Sequence, residues 1–341
     1  MEKKTKKKKA FITGITGQDG SYLAELLLEK NYEIYGLLRR NSNPSYGNVA
    51  HLRHHINFIF GDLADPACIS MYMSKIQPDE IYNLGAQSHV HESWSQPLAT
   101  ADQTGLGALR IFEAVRNVVP TAKVYQASTS ELFGETTTSP QKESTPLHPA
   151  NPYAAAKALA HFDAQIYRKS FKLFISTGIM FNHESPRRSP DFVTRKVSLA
   201  VASIKLGLKG NRIPVGQGGK PVINKDGKLE LGNMDAKRDW GFAGDYVEAM
   251  WLILQHTEPD DFVVSTGEIR TVTDLCDSAF SAVGLNWKDH IVINPEWVRP
   301  TETGPLVGDY SKIKKILGWK PKTEFKQLIE MMVTSDLARL S

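Results

Sequence analysis

The sequence predicts an α/β protein built on a doubly wound parallel sheet, with a smaller α/β domain in its C-terminal half. Short apolar segments alternate with longer amphipathic segments as far as residue 180. Strands separated by helices specify a parallel sheet covered by helices on both faces. Beyond residue 180 the alternation loosens, and Gly, Pro and Asn become frequent. A chain of 341 residues has room for one large domain and a smaller one.

This alternation assigns the individual elements. In the first part we expect strands at 10–13, 33–38, 56–60, 80–84, 123–127 and 173–179, and helices at 21–30, 69–76, 105–117 and 153–170. In the second part we expect helices at 192–206, 244–255, 272–283 and 325–340. Asp226-Gly227 lies between apolar residues and predicts a surface hairpin within 220–231. We therefore divide the chain into a leader (1–9), a first domain (10–180) and a second domain (181–341) with segments that return to the first.

Composition excludes several classes of protein. Residues 2–9 hold six lysines against one glutamate, so a leader that we expect to be solvated and disordered carries +5, and the rest of the chain carries about −1 of the formal net charge of +4. We therefore expect no nucleic-acid partner. No apolar run reaches the roughly 20 residues of a membrane helix, and no secretory signal precedes the first strand. Cys68 and Cys276 are isolated thiols, so we expect a cytoplasmic protein without a bound metal.

Three glycines follow the first predicted strand and open a helix. Gly14, Gly17 and Gly20 permit a tight turn there, and backbone N–H groups of such a turn can reach a pyrophosphate at the helix N-terminus. The spacing is G-x-x-G-x-x-G, and the strand–turn–helix context gives it weight. The sequence therefore predicts a Rossmann-type dinucleotide site that includes, besides Gly14 and Gly17, the residues Thr16, Gln18 and Asp19.

The end of the second strand indicates which dinucleotide binds. An NAD enzyme is expected to carry an acidic residue here, whereas Arg39 and Arg40 suit the additional 2′-phosphate of NADP. A pair of solvated surface arginines is the alternative. The neighbouring Asn41 and Ser42 are assigned to the same site. The third and fourth strand ends, which meet the first two at the carboxyl edge of the sheet, add Asp62, Leu63, Leu84, Gly85, Ala86, Gln87 and Ser88.

Tyr153 and Lys157 form the first part of a predicted catalytic group. Residues i and i+4 of a helix share a face, so Lys157 can lie beneath Tyr153. We expect the ammonium and an oxidised nicotinamide to lower the pKa of Tyr153, which could then take a proton from a substrate hydroxyl. Tyr310 and Lys314 have the same spacing without a cofactor context, so position and not spacing supports the assignment.

Thr129 and Glu131 follow the preceding strand. In an extended conformation two residues that are two apart point to the same side, which would bring a hydroxyl and a carboxylate near Tyr153. Hydride transfer between an alcohol and a ketone does not need this carboxylate. Elimination of water does, because a proton must be removed next to the new ketone and the departing hydroxyl must be protonated. A strand-end carboxylate in solvent is the alternative interpretation of Glu131.

These residues together resemble the extended short-chain dehydrogenase/reductase family, and most closely its GDP-mannose 4,6-dehydratases. The similarity extends from about residue 10 to 335 and is strongest in segments 129–134, 181–188, 232–235, 238–241 and 299–302. It implies that His183 and Arg188 belong to the cofactor site. Candidates for contacts with the nucleotide sugar are Ser88, Asn182, Lys196, Arg212, Arg238, Arg299 and Glu302.

The resemblance also implies an activity and an assembly. The expected reaction converts GDP-mannose to GDP-4-keto-6-deoxymannose and water by hydride transfer from C4 to C6 through NADP. The first domain would bind the cofactor, the second would mainly bind the GDP-sugar, and the enzyme would be a homodimer or homotetramer. A secondary NADPH-dependent reduction to a GDP-6-deoxyhexose such as GDP-rhamnose is compatible with the same site.

The sequence departs from the family pattern at three places, and other functions are alternatives to the dehydratase. Ala99 replaces a tyrosine near the cofactor, residues 303–305 replace a different loop sequence, and 210–231 is longer than in relatives. An epimerase or 4-keto reductase of the family would share every feature except the need for Glu131. A non-catalytic NADP sensor would not need to retain Thr129, Glu131, Tyr153 and Lys157 together.

Overall fold

The computed structural model of the chain describes residues 7–40, 45–297 and 304–341. The strands are β1 (Lys9–Thr13), β2 (Glu33–Leu38), β3 (Asn57–Phe60), β4 (Glu80–Asn83), β5 (Lys123–Ala127), β6 (Ile175–Met180), β7 (Asn182–Glu184), β8 (Leu229–Leu231), β9 (Lys237–Arg238), β10 (Trp240–Phe242), β11 (Asp261–Val264), β12 (Arg270–Thr271) and β13 (Ile291–Ile293). The helices are α1 (Gln18–Glu29), α2 (Pro66–Ile76), α3 (Val90–Ser95), α4 (Pro97–Thr100), α5 (Gly107–Val118), α6 (Pro152–Phe171), α7 (Val193–Lys205), α8 (Ala243–Gln255), α9 (Val272–Ser281), α10 (Ser311–Leu317) and α11 (Phe325–Leu340).

Seven strands of the described chain form one parallel sheet in the order β11-β6-β5-β4-β1-β2-β3. One face packs on α1 and α8 through residues such as Leu23, Leu27 and Ile253. The other face packs on α2, α5 and α6. The strand order reverses between β1 and β4, and ligands of doubly wound sheets bind at the carboxyl ends of the strands beside such a reversal.

The C-terminal half builds a third apolar core and also contributes to the large sheet. Helices α7, α9 and α11 pack together through residues that include Val197, Leu275 and Leu328. Strand β11 pairs with β6, so the C-terminal half supplies one edge of the parallel sheet. The structure places the side chains of Arg195 on α7 and Asp336 on α11 in a fully buried ion pair with an N–O distance of 2.7 Å.

Three local features differ from the predicted elements. The turn around Asp226-Gly227 forms, but β8 then pairs in parallel with β13, so the predicted hairpin is wrong. The first strand begins at Lys9, and Lys8 donates a hydrogen bond to Glu80 at 2.9 Å, so both lysines belong to the fold. Residues 1–6 lie outside the described part. A one-turn π-helix over Ala101–Leu106 joins α4 to α5, where the sequence predicted a helix only from residue 105.

The described residues contain neither a membrane-spanning helix nor a cluster of metal-binding side chains. None of the helices is long and apolar enough to span a bilayer. No group of three or more His, Cys, Asp or Glu side chains within these residues is arranged to hold a metal ion.

Candidate active site

The loop between β1 and α1 can accept a phosphate-bearing ligand closely. Gly14 has a φ of 68°, which a side chain would strain, and an added Cβ would lie 2.8 Å from the backbone N of Gly85. An added Cβ on Gly20 would lie 2.5 Å from the carbonyl oxygen of Gly14. Gly17 is the N-cap of α1 and supplies no capping side chain, so the first N–H groups of the helix are available to an anion.

A cavity of about 520 Å³ opens at the carboxyl ends of the strands next to this loop. It brings together most of the residues assigned to the cofactor from the sequence. Those that line it are Gly14, Thr16, Gly17, Gln18, Asp19, Arg39, Asp62, Leu63, Leu84, Gly85, Ala86, Ser88, Lys157, His183 and Arg188. The tight loop, the helix N-terminus and the arginine fit a dinucleotide phosphate.

Two of the described residues assigned to the cofactor lie elsewhere. Arg39 and Arg40 are both exposed, and of the two only Arg39 lines the cavity. Gln87 does not line the cavity. Its Nε2 donates a hydrogen bond to the carbonyl of His89 at 3.1 Å. Asn41 and Ser42 fall outside the described residues.

Helix α6 carries the predicted Tyr153–Lys157 pair into the cavity. Both side chains are buried, and the Nζ of Lys157 lies 5.9 Å from the centroid of the Tyr153 ring. Nζ also donates to the carbonyl of Ala127 at 2.8 Å, which fixes α6 against the end of β5. Burial lowers the pKa of Lys157 to about 8, although the charge of Asp19 acts in the opposite direction.

The pKa of Tyr153 is raised in the protein without a cofactor, and its lowering by the ammonium together with an oxidised nicotinamide stays a prediction. Burial raises this pKa to about 12, and the negative charge of Glu131 adds to the rise. The hydrogen bond between the side chains of Tyr153 and Thr129 has the opposite effect and only partly compensates. The phenolate is therefore costly until positive charge is added near the ring.

Thr129 and Glu131 both line the cavity, but not on an extended chain as predicted. Thr129 is extended, and its Oγ1 accepts a hydrogen bond from the N–H of Glu131 at 3.3 Å, which starts a 3₁₀ turn over Ser130–Phe133. This local side-chain cap replaces the extended conformation. The Nδ2 of Asn151 donates to the Oε2 of Glu131 at 3.0 Å.

Asp19 and His183 form an ion pair in the wall of the cavity. The Nε2 of His183 lies 2.8 Å from a carboxylate oxygen of Asp19, and its Nδ1 lies 2.7 Å from the carbonyl of Phe181. Both partners can accept a hydrogen bond, an arrangement that favours the doubly protonated, cationic imidazole. Burial opposes charge on either group, yet the pair lowers the pKa of Asp19 to about 2 and raises that of His183.

The candidates for the nucleotide sugar divide into two groups. Ser88, Asn182 and Arg238 line the cavity. Lys196 and Arg212 do not. Arg212 ends an exposed 3₁₀ turn, whereas Lys196 donates to the carbonyl of Glu230 at 2.7 Å. Arg299 and Glu302 lie outside the described residues.

Several lining residues were not assigned from the sequence. Ser128 and Ser130 flank the predicted Thr129, so their position was already available as a signal. Gln103 lines the cavity from the π-helix, and Phe192 from the start of α7, and no sequence pattern indicated either. Ala99 is exposed and does not line the cavity.

The parallel sheet, the glycine-rich loop and the Tyr153–Lys157 pair on one cavity are typical of the short-chain dehydrogenase/reductase class. A family model described as GDP-mannose 4,6 dehydratase matches residues 11–221 and 219–332. The chain belongs to the GDP-mannose 4,6-dehydratase family. The predicted family, fold class and enzyme class, a nucleotide-sugar hydro-lyase, are thereby confirmed.

Individual proteins that are similar to this chain include two named GDP-mannose 4,6 dehydratases and a solved structure with the same fold. GDP-mannose 4,6 dehydratase 1 of Arabidopsis thaliana is 50% identical over 343 residues, which cover 97% of this chain and 90% of that protein. GDP-mannose 4,6 dehydratase of Homo sapiens is 44% identical over 358 residues, with coverage of 96% and 91%. A dTDP-glucose 4,6-dehydratase of Bacillus anthracis, solved in complex with NAD, has the same fold, with a TM-score of 0.79, 22% identity and 96% of each chain covered.

Proposed function

We propose that this chain converts GDP-mannose to GDP-4-keto-6-deoxymannose and water with NADP as its cofactor. The observation that carries the proposal is the position of Glu131. Its carboxylate lines the same cavity as Thr129, Tyr153 and Lys157, so an elimination base accompanies the residues of alcohol oxidation. Membership of the family supports the choice of GDP-mannose as the sugar nucleotide.

The cofactor is assigned to the glycine loop, the helix α1 N-terminus and the strand ends. When bound, NADP supplies a hydride acceptor for C4 and later a hydride donor for C6. Gly14 and Gly17 would hold the pyrophosphate, and Arg39 the 2′-phosphate. Lys157 would bind the ribose beside Tyr153.

Tyr153 is proposed to move the proton of the C4 hydroxyl. As the second residue of α6, it lies at the positive end of the helix dipole, and the ammonium of Lys157 adds further positive charge. Both offset part of the cost of ionising a buried phenol. Thr129 would donate a hydrogen bond to the C4 oxygen, and the proton held by Tyr153 returns to C5 when C6 is reduced.

Glu131 is proposed to perform the elimination. The 4-ketone acidifies the C5–H bond, so the carboxylate can take that proton. The same proton then leaves with the C6 hydroxyl as water, and a double bond remains between C5 and C6. Reduction at C6 and protonation at C5 complete the cycle, so the net change is the loss of one water.

The direct test is to incubate the purified protein with GDP-mannose and catalytic NADP⁺ and to follow the products by mass spectrometry. Loss of one water without net formation of NADPH is expected. A further gain of two hydrogens on adding NADPH would reveal the secondary 4-keto reductase. An unchanged GDP-mannose peak would overturn the substrate assignment, and conversion to an isomer without water loss would favour an epimerase.

The choice of NADP over NAD makes Arg39 the discriminating residue. We expect Arg39→Ala to weaken NADP⁺ binding by roughly 10- to 100-fold, which corresponds to about 1.5–3 kcal/mol for hydrogen bonds to a charged group. NAD⁺ binding should change little, because it lacks the 2′-phosphate. Isothermal titration calorimetry gives both dissociation constants. Arg40→Ala is the matched control, since Arg40 does not line the cavity, and an equal loss in both variants would contradict the assignment.

We also propose a homodimer formed through one exposed apolar face. Helices α3, α4 and α6 pack side by side, and Trp94, Leu98, Phe162 and Ile166 on them are between 49% and 85% exposed. Large apolar patches on a protein surface mark association sites. A second copy of the chain would cover this face through two-fold symmetry. A homotetramer would need a further interface.

Phe162→Glu is therefore expected to weaken self-association by roughly 100-fold or more, because an unpaired charge in a buried interface costs about 3–5 kcal/mol. Sedimentation equilibrium measures the change. Ile316→Glu, at an exposed position on α10 beside β11, is the control and should leave the association constant unchanged. A wild-type chain that stays monomeric at micromolar concentration would refute the dimer.

We also propose that the first half of the chain mainly binds NADP and the second half mainly binds the sugar nucleotide. Residues 10–180 supply most of the residues assigned to NADP, and residues 181–341 supply Asn182 and Arg238 toward the sugar nucleotide. Strand β11 and helix α8 return from the second half to the large sheet and its cover.

Cys68 and Cys276 are free thiols, in keeping with a cytoplasmic location.

A further inference from the structure

Asn151 lies directly before α6 and joins two parts of the proposed catalytic group. Its Oδ1 accepts a hydrogen bond from the N–H of Ala154 at 2.8 Å, which caps the helix that carries Tyr153. Its Nδ2 donates to the Oε2 of Glu131 at 3.0 Å. One half-buried side chain therefore contacts both the start of the catalytic helix and the carboxylate assigned to the elimination.

The amide group suits this double role better than other capping side chains. Asp can accept the N–H of the helix but has no donor for a carboxylate. Ser and Thr cap helices well, but one oxygen on a shorter side chain would have to make both bonds. Asn separates acceptor and donor onto two atoms, so capping of α6 and contact with Glu131 do not compete.

We propose that Asn151 is a positioning residue, because its amide holds the carboxylate of Glu131 at a fixed place relative to the helix that carries Tyr153. This inference rests on the proposed function. Glu131 and Tyr153 must act on neighbouring carbons of one sugar ring, so their separation must be set before substrate binds.

If Asn151 only caps α6, a different result is expected. The variant Asn151→Asp distinguishes capping alone from positioning of Glu131. Asp keeps the cap, removes the donor and places a second carboxylate beside Glu131. Two adjacent carboxylates cannot both ionise easily, so the pKa of the pair rises. We expect kcat near neutral pH to fall roughly 10- to 100-fold with KM little changed, and the acidic limb of the kcat profile to move up by about one pH unit.

Single-turnover absorbance of reduced nicotinamide adds a readout that a structural defect would not produce. In Asn151→Asp, oxidation at C4 proceeds while removal of the C5 proton is slowed, so reduced cofactor should accumulate transiently beyond the wild-type level. Asn151→Ser keeps a cap with a poorer donor and should show the same accumulation to a smaller extent. This second variant keeps the test decisive if Asn151→Asp folds poorly.

Thr271→Ala is the matched control, because Thr271 caps α9 through the N–H of Asp274 at 3.0 Å. It should lower Tm comparably and leave the kcat profile and the nicotinamide transient unchanged. A folded Asn151→Asp with a wild-type profile and no accumulation would overturn the positioning role alone. A wild-type enzyme that fails to release water from GDP-mannose would overturn the proposed function and this inference together.

Discussion

Replacement of Glu131 by Gln is expected to reduce formation of the dehydrated product by about 10²- to 10⁴-fold, the usual contribution of a general acid–base group. Gln has nearly the same shape and can still accept the hydrogen bond from Asn151, but it can neither take the C5 proton nor deliver it to the C6 hydroxyl. Oxidation at C4 does not use Glu131, so reduced nicotinamide should accumulate. Product mass spectrometry and nicotinamide absorbance measure the two effects.

The control for this variant is Glu135→Gln, which makes the same change four residues away at an exposed carboxylate that does not line the cavity. Its turnover should match the wild type. Dissociation constants for NADP⁺ should be the same in all three proteins. Normal formation of the dehydrated product by Glu131→Gln would remove this carboxylate from the mechanism and would assign the elimination to another group.

Removal of one partner of the buried Arg195–Asp336 pair should have the largest effect on stability. The side chains are 2% and 0% exposed, and Asp336 also accepts a hydrogen bond from Ser198 at 2.7 Å. Asp336→Ala leaves a buried guanidinium without its counter-charge, so we expect a loss of about 3–5 kcal/mol in the free energy of unfolding. Urea denaturation followed by circular dichroism gives this value.

Two further variants show whether the buried charge is the cause. Glu330→Ala removes an exposed partner on the same helix, whose oxygen lies 3.9 Å from the Nζ of Lys326, and should change stability by less than about 1 kcal/mol. Replacing both members of the buried pair with apolar residues should recover much of the loss, because no charge is left unpaired. A loss below about 1 kcal/mol in Asp336→Ala would show that the guanidinium finds other partners.

The main sheet and the cofactor loop could be predicted because their signals are local. Buried parallel strands are continuous apolar runs in the sequence, and a glycine-rich turn such as the one at Gly14 directly follows its strand. Helix α6 was predicted within one residue at each end, since its long amphipathic stretch stands out from the short apolar runs on either side. Strand β11 was not predicted, because a short apolar run in the C-terminal half carries no indication of which sheet it joins.

The sequence predicted which segments meet at the site. It did not predict which of their side chains line the cavity. Arg39 and Arg40 are equivalent in sequence, and only the direction of the chain after β2 separates them. Lys196 was chosen for its charge, yet tertiary packing directs it to Glu230 and to the ring of Trp297 at 3.9 Å. The contact between Glu131 and Asn151 spans twenty residues and depends on a 3₁₀ turn that no periodicity indicates.

The bonds between the glycine loop and β7 bear on how long a cofactor molecule stays with the enzyme. Gln18 donates to the carbonyl of His183 and accepts from Ser185, and Asp19 pairs with His183, so three side-chain contacts tie the loop to the segment that carries Asn182. These contacts hold the loop against this segment, so we expect a bound dinucleotide to leave slowly. A reaction that returns its hydride within each turnover regenerates the oxidant in place, so slow exchange costs such an enzyme no speed.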